Sequence, residues 1–557
     1  MTTGGLRTRA VYAAWLAATR PARRRFERAL AAPDRAQERL LRGILRANAD
    51  TEFGRRAGFA RLRTLEEYRR AVPVRGWDEL LPEIDAVRRG RQGVLTREPV
   101  TRLVPSGGSS GPCKLVPFTR SLGASFAAAV APWVADLAAR HPSLTRGPAY
   151  WSVSPALDGP PLATAVPIGF ESDTRYLGRV LAPLVGCTLV APDALRHARP
   201  LESFQYLTLR LLLAARSLRL LSIWHPSFLA LVLARRDAWW DRLVDDVRRG
   251  TLSPPQPVAA DVADAVRRRC RKDVARADEL RRLGADAPVA ELWPELCVVS
   301  AWGDAAAAEP FAALRELCRP VAAEAKGLLA TEACVTIPYA DRHPLALDST
   351  FVELVGEDGR ARGPGEVRVG ECHDLVLTTR GGLYRYRIGD RVRVDGMLGA
   401  TPSLRLVGRT DHVVDRVGEK LSDVFVGAAI ARAYDGEPLP PFAMLGAEGG
   451  GYALFVDRPP RDAPALVSRL AAELRKSPGF AYAQDLGQLG PVRIVLCPSG
   501  SSAAWLARRH AQGRGLGDVK PTRLADEDAW TAILEGHEIA RLPLPASAGC
   551  GLAGRDP

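Results

Sequence analysis

The stretch LVLTTRGGLYRYRIGDRV, residues 375–392, decides the fold class of the central part of this chain. Apolar and polar residues alternate on both sides of Gly381-Gly382, which predicts two half-buried antiparallel strands joined by a turn. FVELV at 351–355 and LRLVG at 404–408 repeat the alternation. We therefore predict an antiparallel, barrel-like sheet between residues 350 and 408.

The residues before this sheet follow different patterns. Up to about residue 100, amphipathic stretches rich in Arg and Glu predict helices. Between residues 120 and 340, short apolar runs alternate with helical stretches, which is typical of an α/β fold with parallel strands. These runs are AYWSVSP (149–155), GCTLVAP (186–192) and LCVVSAWG (296–303).

A smaller unit follows residue 410. Two helical segments, 424–434 and 463–477, alternate there with two strand-like segments, 452–457 and 492–498. The predicted fold class is therefore α/β: a large N-terminal domain with an additional antiparallel sheet, and a small, mobile α+β C-terminal domain.

Composition excludes several classes of protein. The formal charge is +14, but the arginines are dispersed among Asp and Glu, so we expect no nucleic-acid partner. The longest apolar segment, 207–234, contains three arginines and a proline and does not read as a membrane span. The nine cysteines lack C-x-x-C spacing, as in a reduced intracellular protein. We expect a cytoplasmic monomer without a membrane partner.

A Gly/Ser loop, SGGSSGPCK at residues 106–114, follows a strand-like segment. Its glycines allow backbone N–H groups to converge on an anion, its serines add hydroxyl donors, and Lys114 adds positive charge. The loop is not a Walker A motif, because Leu115 follows the lysine where Ser or Thr is required. Two interpretations stay open here: a phosphate-binding loop, or a flexible connection between a strand and a helix.

Further motifs follow this loop in a fixed order. Thr331-Glu332 comes first, then Y-R-I-G-D at 386–390, then G-R-T-D at 408–411. This order resembles the adenylate-forming superfamily of acyl-CoA synthetases, adenylation domains and luciferases. GLLATEACVTIP (327–338) and LLSIWHPSFL (220–229) are similar to the acyl acid amido synthetases, the auxin-responsive Gretchen Hagen family, and especially to its bacterial members.

The resemblance implies a ligase that uses ATP and Mg²⁺. Such an enzyme adenylates a carboxylic acid, releases pyrophosphate, and passes the acyl group to an amine, here expected to be an amino acid. Residues 1–409 would form the N-terminal adenylation domain that binds ATP and the acid. Residues 410–557 would form the small domain that closes over the active site.

The resemblance also assigns roles to matching positions. The Gly/Ser loop would hold the β- and γ-phosphates. Thr331 would contact the α-phosphate, Glu332 would bind Mg²⁺, and Asp390 would accept hydrogen bonds from the ribose hydroxyls. Arg409 would support the ribose or the phosphates, and Gly303 would lie beneath adenine. The expected nucleotide-binding residues are Ser106, Gly107, Gly108, Ser109, Ser110, Gly111, Lys114, Gly303, Thr331, Asp390 and Arg409.

Lysine is scarce in this chain, since only six of the 77 basic residues are lysines. Where Arg serves as the general cation, a lysine can mark a place that needs a compact ammonium. The small domain of this superfamily delivers a lysine to the α-phosphate. Lys420 in G-E-K and Lys520 in V-K-P-T-R are the two catalytic candidates, with a pair of surface lysines as the alternative reading.

The sequence departs from the family pattern at some positions. Gly108 replaces a threonine of the plant-type loop, Pro105 replaces its first serine, and Leu328 stands where the tyrosine of Y-x-S-S-E is expected. Two other functions stay open. An acyl-CoA ligase would use the same adenylate, but the usual P-K-[ST]-x-x-G-K ending is missing. A non-catalytic nucleotide-binding relative is the third possibility.

Overall fold

The computed structural model describes residues 3–106, 114–152, 164–169, 185–410, 413–414, 416, 419, 421–485, 489–511, 522–525 and 529–542. The chain divides into two compact units: residues up to Gly408 belong to the first, and the second begins at Arg409. This division falls one residue before the predicted boundary, and the role given to each unit stays a prediction.

The first hundred residues are mainly helical, in agreement with the sequence pattern. Helix starts follow local chemistry: Pro33 opens the second helix, and Thr64 and Glu67 form a reciprocal capping box at the fourth. The helices are α1 (Thr3–Ala29), α2 (Pro33–Ala47), α3 (Glu52–Arg56), α4 (Leu65–Ala71) and α5 (Leu81–Arg88).

A β-hairpin and a long helix follow. Strands β1 (Arg102–Ser106) and β2 (Lys114–Phe118) pair antiparallel, and Thr119 caps helix α6 (Arg120–Arg140) by accepting a hydrogen bond from the backbone N–H of Leu122. In the described part of the chain, α6 is the one helix long and apolar enough to cross a membrane. Because 61% of its apolar window is buried within the protein, α6 has the character of a core helix.

The α/β part contains a four-stranded parallel sheet with the strand order β3-β4-β5-β6. One face packs on α1 and α6, and the opposite face packs on the helices between residues 201 and 317. The strands are β3 (Ala149–Trp151), β4 (Leu220–Ser222), β5 (Val298–Ala301) and β6 (Ala322–Ala325). The helices are α7 (Leu201–Ala214), α8 (Ser227–Leu233), α9 (Arg236–Arg249), α10 (Ala260–Arg267), α11 (Val274–Leu283), α12 (Val289–Leu292) and α13 (Ala308–Leu317).

The predicted strands at 149–155 and 296–303 coincide with β3 and β5, but the run at 186–192 is not an extended strand. It contributes a one-residue parallel bridge between Leu189 and Ala149. The run is apolar because Leu189 packs in the core on the α6 side of the sheet. Burial alone therefore produced its strand-like pattern.

The alternating segment forms a five-stranded sheet with the strand order β11-β10-β9-β7-β8. Its inner face packs on α2 to α5 in one hydrophobic core. The mixed α/β fold with an additional antiparallel sheet is thus confirmed. The strands are β7 (Phe351–Val355), β8 (Ala361–Arg362), β9 (Cys372–Thr378), β10 (Tyr386–Leu398) and β11 (Thr401–Arg409).

The second unit is a small α+β structure with its own core. A mixed five-stranded sheet, in the order β17-β14-β15-β16-β18, packs against helices on one side. The strands are β12 (Val413–Val414), β13 (Leu421–Ser422), β14 (Ala443–Glu448), β15 (Gly451–Val456), β16 (Arg493–Leu496), β17 (Leu524–Ala525) and β18 (His537–Arg541). The helices are α14 (Asp423–Ala433), α15 (Ala463–Leu474), α16 (Pro478–Asp485), α17 (Ser501–Ala511) and α18 (Trp530–Ile533).

Candidate active site

The Gly/Ser segment joins the two strands of the β1–β2 hairpin. Ser106 and Lys114 face each other in its register, so the loop returns directly into a second strand before α6 begins. The predicted connection from a strand to a helix therefore contains an additional strand. The loop residues Gly107, Gly108, Ser109, Ser110 and Gly111 lie outside the described residues, and so does the side chain of Ser106.

Lys114 connects this hairpin to the Y-R-I-G-D motif. Its Nζ donates a hydrogen bond to the hydroxyl of Tyr386 at 3.4 Å and lies 6.0 Å from the centre of the Trp77 ring. Tyr386 is fully buried and packs edge-on against Trp77, with 6.0 Å between the ring centres. Two motifs separated by 272 residues in the chain are therefore in contact in the structure.

Asp390 lies in a β-bulge of strand β10. Tyr386 and Arg387 pair with consecutive residues of β9, and the register then shifts before Arg391. Gly389 takes a φ of +87° in the shift, a conformation that L-residues with side chains rarely adopt. Bulges re-aim the side chains next to them, and Asp390 is fully buried at this one.

The bulged strand begins from a fixed point. Arg385 immediately precedes it and forms a buried ion pair with Glu353 of β7, with 2.8 Å between Nε and Oε2 and 3.3 Å between Nη2 and Oε1. Its Nη1 also donates to the backbone carbonyls of Arg69 and Val72. These contacts tie the start of β10 to β7 and α4.

Thr331 and Glu332 occupy the tip of a tight turn. The backbone groups of Ala330 and Ala333 exchange two hydrogen bonds, of 2.9 and 3.3 Å, and Leu329 bridges to Cys334 just outside them. The carboxylate-bearing residue Glu332 is only 5% exposed. These backbone hydrogen bonds close the turn, so Thr331 and Glu332 are held next to each other at its tip.

The described residues contain no cluster of three or more His, Cys, Asp or Glu side chains suited to a metal ion. Mg²⁺ is usually held by one or two carboxylates, substrate phosphates and water. Glu332 is the carboxylate that the sequence predicts for this role, and the role stays a prediction.

Gly303 follows β5 and lies against the chain of β6. A Cβ at this position would be 2.6 Å from the Cβ of Ala325, closer than real Cβ contacts. The preceding Trp302 donates its backbone N–H to the carbonyl of Trp224, and the two indoles lie 5.7 Å apart. The glycine therefore allows a close approach between two strands at their carboxyl ends, where ligands of parallel sheets bind.

For the remaining predicted positions, the structure gives a place in the fold or the surroundings of a neighbour. Arg409 ends β11 and is the first residue of the second unit. Lys420 and Lys520 lie outside the described residues. Next to Lys420, the buried Glu419 accepts hydrogen bonds from the Tyr452 hydroxyl and, at 3.0 Å, from the Arg416 backbone N–H.

Two histidines that precede prolines have structural surroundings. His225 Nδ1 is 2.7 Å from the hydroxyl of Ser227, and burial lowers the pKa of His225 to about 4. His343 contacts the carbonyl of Ala325 through Nε2 at 2.9 Å, and burial lowers its pKa as well. Both imidazoles are therefore neutral at pH 7, and neither ring hydrogen-bonds to a predicted nucleotide residue that the structure describes.

The sequence interpretation did not assign a site role to Lys326. This lysine is buried against the indoles of Trp133 and Trp224, directly after β6. It precedes the Thr331-Glu332 turn by five residues and belongs to the six-lysine set. The scarcity of lysine was the available signal, but no motif contained this position.

Solved structures share the fold of this chain. The complex of AtGH3.15 acyl acid amido synthetase with 2,4-DB matches it with a TM-score of 0.77, over 95% of this chain and 98% of the other, at 17% sequence identity. A second GH3.15 acyl acid amido synthetase structure matches with a TM-score of 0.76. The fold is therefore that of the acyl acid amido synthetases.

Sequence comparison gives the family. The GH3 family N-terminal domain matches residues 22–322, and the GH3 family central domain matches residues 345–409. The chain belongs to the GH3 family, which confirms the resemblance drawn from the motifs.

Curated relatives cover most of the chain. The probable indole-3-acetic acid-amido synthetase GH3.12 of Oryza sativa subsp. japonica is 25% identical over 570 residues, which span 89% of this chain and 92% of the relative. The indole-3-acetic acid-amido synthetase GH3.3 of Arabidopsis thaliana is 23% identical and covers 90% of each chain.

Proposed function

We propose that this chain is an ATP-dependent ligase that joins a carboxylic acid to an amino acid through an acyl adenylate. A carboxylate oxygen of the acid attacks the α-phosphorus of ATP, the bond to the bridging oxygen breaks, and pyrophosphate leaves. The amine then attacks the acyl carbon, the carbon–oxygen bond to AMP breaks, and the amine loses a proton as the amide forms.

One observation carries this proposal beyond family membership. The lysine that ends the Gly/Ser loop contacts the tyrosine that begins Y-R-I-G-D, through the 3.4 Å hydrogen bond between Lys114 and Tyr386. A phosphate-binding element and a ribose-binding element must be adjacent to hold one nucleotide. Their contact across 272 residues supports a single ATP site in the first unit.

The site residues have complementary roles in this proposal. Asp390 accepts hydrogen bonds from the ribose hydroxyls, and the ammonium of Lys114 attracts the phosphates. Glu332 would hold Mg²⁺, which would offset the negative charge of the departing pyrophosphate. Thr331 orients the α-phosphate from the adjacent turn position, and Gly303 lets adenine lie close to the backbone.

The second half-reaction depends on the acceptor. We assign an amino acid as acceptor because the curated relatives are amido synthetases, and coenzyme A is not favoured. Lys420 and Lys520 stay the candidates for the lysine delivered to the α-phosphate. A cytoplasmic location and a monomeric state also stay predictions.

The test is acid-dependent pyrophosphate release. Purified protein is incubated with Mg·ATP, pooled carboxylic acids and hydroxylamine, which traps the adenylate as a hydroxamate. We expect pyrophosphate and hydroxamate in equal amounts. Glu332→Gln keeps the size of the side chain and removes its charge, and should lower the rate at least about 100-fold. Glu357→Gln, at a side chain that is 81% exposed, is the matched control.

Each result has a distinct meaning. Release that requires an acid and disappears in Glu332→Gln supports adenylation, and replacing hydroxylamine with amino acids or coenzyme A then identifies the acceptor. ATP binding without release for any acid in the pool would contradict the ligase proposal and favour a nucleotide-binding relative. Equal losses in both glutamate variants would remove the role assigned to Glu332.

A further inference from the structure

The parallel sheet presents one row of side chains to helix α6. Its register places Trp151, Ser222, Ser300 and Glu324 opposite one another on adjacent strands, so their side chains share a face. Helix α6 covers that face, since the indole N–H of Trp133 donates to Glu324 at 2.8 Å. The row lies at the carboxyl edge of the sheet, since Trp151 and Ser222 end their strands, and parallel sheets bind their ligands at this edge.

The side chain of Lys326, the residue directly after β6, extends back to this row. Its backbone N–H continues the ladder by donating to Ala301 at 2.7 Å, and it follows Glu324 by two residues, on the same face. Its Nζ lies 2.6 Å from the hydroxyl of Ser222 on β4. Because β5 lies between β4 and β6, the lysine side chain crosses β5 beneath α6.

Tryptophans surround this side chain. Its Nζ lies 5.1 Å from the centre of the Trp133 ring and 5.5 Å from that of the Trp224 ring. Trp224 in turn packs 5.7 Å from Trp302, at the end of β5. We call Trp133, Trp224, Trp302 and Lys326 the tryptophan cluster. It offers planar apolar surfaces and one amine.

The amine lacks a counter-charge of its own. Among the described residues it has one hydrogen-bond acceptor, the neutral hydroxyl of Ser222, and no carboxylate within 4.0 Å. Glu324, the carboxylate that acts on it at longer range, is bound by Trp133 and Arg140. An ammonium has three N–H donors, and a buried charge is normally paired. Burial without a partner lowers the pKa of Lys326 to about 7.

We propose that Lys326 binds a second carboxylate at the far end of the acid substrate, so that the enzyme selects dicarboxylic acids whose planar or apolar middle packs between the tryptophans. The inference rests on the proposed ligase function and names its substrate class. The reacting carboxylate belongs at the Thr331-Glu332 turn, five residues further along the chain. The ammonium instead lies at Ser222 of β4, across β5 from the strand that leads into this turn, and we assign that position to the distal group.

The main test compares matched acids and matched variants. Phenylacetate is compared with 4-carboxyphenylacetate, and octanoate with octanedioate, by kcat/KM for pyrophosphate release. Lys326→Met keeps the length of the side chain and removes its charge, Lys326→Arg keeps the charge, and Lys476→Met changes an exposed lysine, 58% accessible, as the control.

We expect the wild type to prefer each dicarboxylic acid over its monocarboxylic partner. Lys326→Met should lose about 100-fold or more of kcat/KM for the dicarboxylic acids and little for the others. Lys326→Arg should retain part of the preference, and Lys476→Met all of it. Equal losses for all acids would overturn the inference, and so would a wild type that prefers the monocarboxylic acids.

A second readout does not depend on catalysis or on a folded variant. The wild type labelled with ¹³C at lysine Cε gives at most six signals, and octanedioate is added while pH is varied. A rise in the Lys326 pKa with octanedioate, but not with octanoate, supports binding of the second carboxylate. If this rise occurs and no pyrophosphate is released, only the proposed ligase function is contradicted. Pyrophosphate release without this rise or any dicarboxylate preference would overturn the Lys326 assignment and leave the ligase function standing.

Discussion

Arg385 and Glu353 form a buried two-point ion pair directly before the segment that carries Asp390. Glu353 is 1% exposed, and its Oε1 also accepts a hydrogen bond from Arg69 Nε at 2.8 Å. Arg385 holds a φ of +47°, so its backbone turns sharply where β10 begins. The pair therefore links the position of the proposed ribose-binding strand to the core of the first unit.

Removing one partner of this pair should lower the stability of the first unit. Glu353→Gln leaves the buried guanidinium of Arg385 without its counter-charge and leaves the partly buried Arg69 with only Glu66. We expect a loss of about 3 to 5 kcal/mol in the free energy of unfolding. Denaturant titration measures it. Glu357→Gln removes an exposed partner of Arg391 and should change stability by less than about 1 kcal/mol. Similar values for the two variants would show that the buried pair contributes nothing special.

A methyl group at Gly389 should disturb nucleotide binding. Gly389→Ala forces an L-residue into a φ of +87° at the bulge, at a strain of about 1 to 2 kcal/mol, and shifts the neighbouring Asp390. We expect KM for ATP to rise at least about tenfold in the pyrophosphate assay.

Gly359→Ala is the control for that strain. Gly359 has a φ of +71° in the turn between β7 and β8, and a Cβ there would meet no atom within 4 Å. It should lose comparable stability and keep the wild-type KM for ATP. An unchanged KM in Gly389→Ala would contradict the role of the bulge.

Gly303→Ala should act through a clash. The new Cβ would lie 2.6 Å from that of Ala325, so the ends of β5 and β6 must separate. We expect weaker ATP binding, by about tenfold or more, and a loss of about 1 to 3 kcal/mol of stability. Calorimetric titration with ATP and denaturant unfolding measure the two effects. Gly43→Ala, on the open surface of α2, should bind ATP normally and gain up to about 1 kcal/mol.

The stability difference between Lys326→Met and the wild type should depend on pH. Burial lowers the folded-state pKa of Lys326 to about 7, from an ordinary value of 10.5. Between these values the unfolded chain binds a proton that the folded chain does not, so the wild-type stability contributed by this residue rises with pH. Below pH 7 both states are protonated and the full burial penalty remains.

Lys326→Met removes this dependence. Relative to the wild type, the variant should be most favoured below about pH 7 and should lose that advantage as the pH rises towards 10, with a total change of up to about 5 kcal/mol. Denaturant unfolding at pH 6, 8 and 9.5, in parallel with Lys476→Met, measures the difference. A difference that is constant across the three pH values would contradict a lowered pKa.

Much of the fold could be predicted because local patterns and burial agree. The alternation at 351–355 and 404–408 predicted β7 and β11, and the helical pattern of the first hundred residues predicted α1 to α5. The run at 186–192 misled because an apolar run records burial and not backbone conformation, and its conformation is set by neighbours far away in the chain.

The residue types of the proposed nucleotide site could be predicted from the sequence alone. Its motifs can be recognised in the sequence because their chemistry requires specific side chains at fixed local spacing. These motifs are Y-R-I-G-D, Thr331-Glu332 and the Gly/Ser loop. Only the tertiary structure brought Lys114 to Tyr386 across 272 residues, and Lys326 to Ser222 across 104. Burial and partner choice arise from packing between distant segments. Lys326 therefore becomes a buried amine among tryptophans, hydrogen-bonded to Ser222, only after the sheet and α6 have assembled.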